Sequence, residues 1–263
     1  MSAISDLFAR ARTENRSVLI GYMPAGFPSH EGSIAIINAM VEGGVDLIEV
    51  GYPYSDPVMD GPVIQRATEL SLQQGFSSED LFTIVSKVNA PTLVMTYWNP
   101  IERIGVAKFV ERLTSAGGEG VITPDLTIEE SDEWIAQTNR TNVDRVYVVA
   151  PSSSDQRLKD VTAQCSGFVY AASLMGVTGA RTSLSSSARD LVSRVRRHTD
   201  LPVAVGLGVS NAEQARDVAN FADGVIVGSA FISLVQNSTN EKEAVEKVRV
   251  LASELAQAVR SRN

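Results

Sequence analysis

A chain of 263 residues that is 44% hydrophobic can bury the core of one large domain or two small ones. Its net charge of −8 argues against nucleic acid and anionic membranes as partners, and its one cysteine, Cys165, excludes an internal disulfide and any cysteine-rich metal site. No apolar run approaches the roughly 18 residues of a membrane span, which leaves the cytoplasm as the expected location.

Residues 4–14 interleave Asp6, Arg10, Arg12 and Glu14 with apolar positions and read as an amphipathic helix rather than a secretory signal. Strand one is 17–23 (SVLIGYM). A loop follows, Ser29 caps a helix to about residue 42, and Gly43-Gly44 stops it. Strand two is 45–50. Pro62 opens a helix to about 74, and Ser77 starts an extra helix to about 88. Strand three is 92–97 (TLVMTY), followed by a helix over 104–116 that Gly117-Gly118 ends. Strand four is 120–123, with Pro124-Asp125 in its loop and a helix through Trp134. Strand five is 144–150, and Ser154 or Asp155 caps a helix to about 165. Strand six is 167–172. A long loop over 175–183 then precedes a helix to 197, where Arg194, Arg196, Arg197 and His198 complement the helix dipole. Strand seven is 202–206, Ser210 caps a helix to about 221, and strand eight is 223–227. A short helix after Gly228-Ser229 and an amphipathic helix over 241–260 complete the series.

Eight strand–helix units with short links imply a parallel sheet. Eight of them in roughly 250 residues match a single (β/α)8 TIM barrel over 1–263, with an extra N-terminal helix and extra short helices after strands two and eight. A doubly wound dinucleotide-binding domain is the weaker reading. Gly206-Leu207-Gly208 has Asn211 where the third glycine of that fingerprint belongs.

In such a barrel the active site lies at the C-terminal ends of the strands. Tyr22, Glu49, Tyr97, Asp125, Tyr170, Gly208 and Gly228-Ser229 fall there. Glu49 shares a strand face with Val45 and Leu47, and a carboxylate in that company must be paired, protonated or used. Asp60, eleven residues on, precedes the helix start Gly61-Pro62. Two acids brought together across one strand–loop unit can serve as an acid and a base. Each has a plainer reading: Glu49 as a structural ion pair, Asp60 as a helix cap, Tyr170 as packing at the barrel mouth. Asp56, in Ser55-Asp56-Pro57, reads as a structural or interfacial turn residue, and Asp125 as a turn or cap.

The residue types absent from these positions narrow the chemistry. The lysines, Lys87, Lys108, Lys159, Lys242 and Lys247, all fall on predicted helices, which disfavours a Schiff base. His30 and His198 are isolated and give neither a catalytic metal cage nor a histidine-based triad. Carboxylate acid/base chemistry without metal or organic cofactor remains. A second signal is for phosphate: Gly176-Val177-Thr178-Gly179, Gly206-Leu207-Gly208-Val209-Ser210 and Gly228-Ser229-Ala230 follow strands six, seven and eight. Glycines there let backbone N–H groups converge on an anion, and helix N-termini favour negative charge. The polar loop over 176–183, carrying Arg181, reads as a lid.

These motifs together resemble the tryptophan synthase alpha chain family over essentially the whole chain. The similarity is carried by Leu47-Ile48-Glu49-Val50-Gly51-Tyr52-Pro53-Tyr54-Ser55-Asp56-Pro57, Asp60-Gly61-Pro62-Val63-Ile64-Gln65, Tyr97-Trp98-Asn99-Pro100, Pro124-Asp125-Leu126 and the three glycine segments, in family order. The resemblance implies retro-aldol cleavage of indole-3-glycerol phosphate to indole and glyceraldehyde 3-phosphate. It also implies a beta subunit that carries pyridoxal phosphate and receives the indole in an α2β2 complex. It further implies Glu49 as the acid/base at indole C3 and the side-chain hydroxyl, Asp60 as the partner of the ring nitrogen, and Tyr170 as a phenol near the reacting carbon. Tyr22, Met95 and Tyr97 would wall the indole, and Thr178, Gly179, Gly208, Gly228 and Ser229 would hold substrate and phosphate. Pro53, Asp56, Pro57, Asn99 and Pro100 would face the beta subunit, so that movement of this Pro-rich loop moves Asp60. The chain differs from many relatives at Leu174, where arginine is usual, at Tyr22, where phenylalanine is common, and at Thr127, where proline usually stands. A non-catalytic phospho-ligand-binding subunit and another phospho-sugar barrel enzyme are the alternatives. An intact Glu49–Asp60 pair disfavours the first, and the lack of a strand-end lysine or histidine disfavours the second.

Overall fold

Among the described residues, nine short strands, all paired in parallel, make one sheet: β1 (Val18–Pro24), β2 (Leu47–Gly51), β3 (Thr92–Met95), β4 (Gly120–Ile122), β5 (Asp144–Val146), β6 (Val148–Val149), β7 (Val169–Ala172), β8 (Val203–Gly206) and β9 (Gly224–Val227). The computed structural model describes residues 2–172, 181–206 and 208–261, the side chains of 181–185 excepted. The sheet order, β5-β4-β3-β2-β1-β9-β8-β7-β6, begins and ends on two pieces separated by Tyr147 alone. The sequence reads residues 144–150 as one strand, and the split has a geometric cause. Val146 still pairs back to Ile122 on β4, whereas Val148 already pairs forward to Tyr170 on β7. The chain changes neighbours at Tyr147, and eight extended segments thereby enclose a barrel.

Alternation along the strands sorts side chains into two cores. Val18, Ile20, Leu47, Leu93, Ile122, Val146, Phe168, Ala204 and Ile226 fill the barrel interior. The opposite parity, including Leu19, Ile48, Val50, Val94 and Val121, packs under the surrounding helices. Helix α1 (Ala3–Thr13) sends Ile4, Leu7, Phe8 and Ala11 into the interior cluster, and Phe8 meets Phe168 with ring centroids 5.5 Å apart. Its N-cap residue Ser2 donates to the Asp144 carboxylate, 2.5 Å away, on the first residue of β5. Helix α1 therefore stoppers the end where the strands begin, and polar chemistry is left to the other end.

The outer helices are α2 (His30–Glu42), α3 (Pro62–Gln73), α4 (Ser78–Val85), α5 (Trp98–Ile104), α6 (Val106–Ser115), α7 (Asp132–Thr141), α8 (Asp155–Gln164), α9 (Arg181–Val195), α10 (Ala212–Ala219), α11 (Ser229–Gln236) and α12 (Glu241–Arg260). The extra elements α1, α4 and α11 stand where the sequence places them, and Ser29, Ser77 and Ser154 are the N-caps expected. Several boundaries differ, most of all the helix read through Trp134, which begins only at Asp132 and runs on to Thr141 as α7. The helix read over 104–116 begins at Val106 as α6, and residues 98–104, read as loop, form a helix of their own, α5, set off from it by Gly105 at φ +94°. Strand two begins at Leu47, since the Asp46 carboxylate is drawn to the Leu19 amide at 2.9 Å and to Arg16. The cap of α10 is Asn211 rather than Ser210, with Gln214 reaching back to the Ser210 amide at 2.8 Å. Residues 181–183, read as loop, already belong to α9.

Candidate functional site

Each inward strand side chain at the open end lies two residues beyond an interior apolar one: Tyr22 after Ile20, Glu49 after Leu47, Met95 after Leu93, Tyr170 after Phe168. Register puts Tyr22 beside Glu49 on the neighbouring strand. Glu49 is 1% exposed, and neither carboxyl oxygen has a hydrogen-bond partner or a salt bridge among the described residues. The ion-pair reading therefore fails. Burial alone pushes its pKa up to about 8, so the group is a neutral acid near pH 7.

Two phenols close over this carboxyl. The Tyr22 ring covers Gly51, where an added Cβ would lie 2.3 Å from its hydroxyl. The Tyr170 ring covers Gly206 in the same way, at 2.6 Å. Only glycine leaves room for either ring at these strand ends. Burial raises the pKa of both, and so do the nearby Asp60 and Glu49 carboxyls. The two acids, one on β2 and one in the following loop, thus converge on the same pair of phenols.

Asp60 is not the cap of α3. Gly61 occupies the cap position without a side-chain bond, Pro62 opens the helix, and Gln65 donates to the Asp60 backbone carbonyl at 2.8 Å. The Asp60 carboxyl instead has the Tyr97 phenol as its hydrogen-bonding neighbour. Burial raises the Asp60 pKa, and the bond to Tyr97 pulls against that rise. Tyr97 is 5% exposed, accepts from the Met59 N–H at 3.0 Å and packs on Tyr54 at a centroid distance of 5.3 Å. Asp125 caps a helix other than its own: both oxygens accept from the Trp98 N–H, at 2.9 and 3.1 Å, the first amide of α5. The sequence missed this contact because it reads Asn99-Pro100 as loop, whereas both lie in the first turn of α5, where proline is tolerated.

Of the residues expected to face a partner, Asp56 and Asn99 are exposed and Pro57 is half-buried, but Pro53 and Pro100 are buried. The prolines at 53 and 100 stiffen the backbone behind the surface rather than presenting it. Two apolar side chains that sequence reading passed over stand out instead, Val58 at 77% and Met59 at 41% exposed. A signal was present: an apolar pair between Pro57 and Asp60 has no strand or helix to bury it.

For an anion, the two candidate helix starts differ. The N-terminus of α10 is already satisfied by Asn211 and Gln214. That of α11 follows Gly228 and has no side-chain cap, so its first N–H groups, beginning with Ser229, remain for a ligand. Gly208, at φ +67°, turns the chain at the end of β8. Thr178 and Gly179, with the rest of the Gly176–Gly179 segment, lie outside the described residues, as do Leu174, Leu207 and the side chain of Arg181. A cavity of about 680 Å³ opens between α11 and α12 and touches Ser229, but Glu49 and Asp60 do not line it.

The model of the tryptophan synthase alpha chain family matches residues 8–260. The tryptophan synthase alpha chain of Streptomyces avermitilis is 54% identical over 261 residues, 98% of this chain and 94% of its own length. That of Salinispora arenicola is also 54% identical, with 99% of each chain covered. Among solved structures, a tryptophan synthase from Mycobacterium tuberculosis aligns with a TM-score of 0.92 at 45% identity, covering 99% of each chain. The alpha subunit from Legionella pneumophila gives 0.89 at 29% identity, covering 98% of each. On these grounds the chain belongs to the tryptophan synthase alpha chain family.

Proposed function

We propose that this chain cleaves indole-3-glycerol phosphate to indole and glyceraldehyde 3-phosphate, with Glu49 as the proton donor and acceptor and Asp60 as the partner of the indole nitrogen. The observation that carries this reading is the neutral, unpartnered Glu49 carboxyl lodged beside Tyr22 and Tyr170 at the open end of the barrel. Protonation of indole C3 by Glu49 leaves a cationic ring nitrogen, which the Asp60 carboxylate stabilises. The Glu49 carboxylate then takes the proton of the neighbouring side-chain hydroxyl. The oxygen becomes the aldehyde carbonyl, the C–C bond breaks, and its electrons restore the aromatic ring. Glu49 ends the cycle protonated as it began, and the indole itself is the electron sink. The substrate phosphate fits the uncapped start of α11 with Gly208 and Gly228, and Thr178 and Gly179 complete that cradle in this reading.

The partner in this reading is a tryptophan synthase beta subunit, which holds the pyridoxal phosphate of an α2β2 complex, while the alpha chain itself uses no cofactor. The exposed Val58, Met59, Asp56 and Asn99 are the surface it would cover, with Pro53, Pro57 and Pro100 stiffening it. Indole release assayed with wild type, Glu49→Gln and Asp60→Asn tests the assignment. Loss of about 10²–10⁴-fold is expected for Glu49→Gln, the range of a general acid/base. Undiminished release from that variant overturns it.

A further inference from the structure

We infer that the Tyr22 phenol is a specificity-determining group that hydrogen-bonds a hydroxyl on the carbon linker between the phosphate and the ring of the substrate. The inference rests on the function proposed above. In that reading the phosphate lies at Gly228-Ser229, just past the end of β9, and Glu49 on β2 protonates the ring carbon that bears the linker. The sheet order puts β1 between these two strands. A linker from the phosphate to that ring carbon therefore crosses the end of β1, and Tyr22 is an inward side chain there.

The side chain lies along that path. A Cβ added at Gly228 would stand 3.1 Å from Tyr22 Cδ1 and 3.3 Å from its Cβ. One added at Gly51 would stand 2.3 Å from the Tyr22 hydroxyl and 2.6 Å from Cζ. The root of the side chain thus abuts the phosphate end, and its hydroxyl reaches the strand that carries Glu49. Glycine backbone at both ends holds the ring in place. Tyr22 is 7% exposed, and its hydroxyl makes no hydrogen bond to a described residue. Burial raises its pKa, so the hydroxyl keeps its proton and can both donate and accept. The linker offers it a partner. Of its two hydroxyls the cleavage step uses one, whose proton Glu49 takes; the other, on the middle carbon, is left for Tyr22. A nearly buried phenol without a partner gains from that contact and disfavours a ligand that lacks it.

Equilibrium binding in a Glu49→Gln background, where the substrate persists, tests this with two ligands. One is indole-3-glycerol phosphate; the other is indole carrying a plain three-carbon phosphate chain without hydroxyls. Adding Tyr22→Phe removes the phenol oxygen and keeps the ring. It should weaken the hydroxylated ligand by about 3- to 10-fold, the worth of one neutral hydrogen bond, and the plain ligand by less than about 2-fold. Superimposable circular dichroism spectra establish that both proteins are folded. Equal weakening of the two ligands assigns the phenol to packing or to holding the acids; that result, or no weakening of either, overturns the inference. A Glu49→Gln protein that still consumes the substrate, or a wild type that releases no indole, sinks the functional assignment and the inference with it. Equal weakening removes the inference alone, and the two failures are thereby distinguished.

Discussion

Removing the ionisable proton of Glu49 should make the protein more stable in mild alkali. The group is 1% exposed, has no partner for either oxygen and titrates near 8 against an ordinary 4.5. Its folded pKa is the higher one, so the native state binds more protons than the unfolded chain between those values. Stability then falls as pH rises through that window. At about 1.4 kcal/mol for each pH unit, the fully developed charge opposes folding by roughly 4–5 kcal/mol. Glu49→Gln keeps the shape and abolishes the titration. Urea unfolding of both proteins at intervals from pH 5 to 9 should give nearly equal stabilities at pH 5. The variant should then gain by roughly 3–5 kcal/mol at pH 9, a midpoint change of about 1 M or more. In the same window, indole release by wild type should decline as the donor ionises. Parallel stability curves for the two proteins would refute the claim that residue 49 is neutral at neutral pH.

Three further outcomes follow from particular contacts. Gly206→Ala places a methyl 2.6 Å from the Tyr170 hydroxyl, so it should cut indole release about 10-fold or more while the fold persists, checked by steady-state kinetics beside circular dichroism. Ser229→Asp sets a carboxylate at the uncapped start of α11, and KM for a phosphorylated substrate should rise at least about 10-fold with kcat little changed. Phe8→Ala empties the stopper of the barrel and should cost about 3–5 kcal/mol in chemical unfolding without altering KM.

The interior of the barrel was legible because alternation is strict: Leu47 inward fixes Glu49 inward, and Phe168 does the same for Tyr170. The caps at Ser29, Ser77 and Ser154 were legible because a short side-chain acceptor before a helical run has one local use. Contacts between loops were not. Nothing near Asp125 says that it caps α5 rather than its own following turn, since the Trp98 amide is 27 residues away along the chain. Tyr97 reads as a wall for a ligand, because a phenol at a strand end is equally suited to a substrate and to a backbone amide. Pro53 and Pro100 read as surface because proline marks turns, and turns are usually exposed. Here both are covered by their neighbours.

The stopper formed by α1 gives the molecule a blind end. With Ile4, Leu7, Phe8 and Ala11 wedged among the first residues of the strands, a flat hydrophobic product, if freed at Glu49 as proposed, has no route backward. It would leave by the open end, where the loop after β2 holds Val58 and Met59 bare. A tube closed at one end, with a greasy lip among the described residues of the other, would send such a cargo in a single direction.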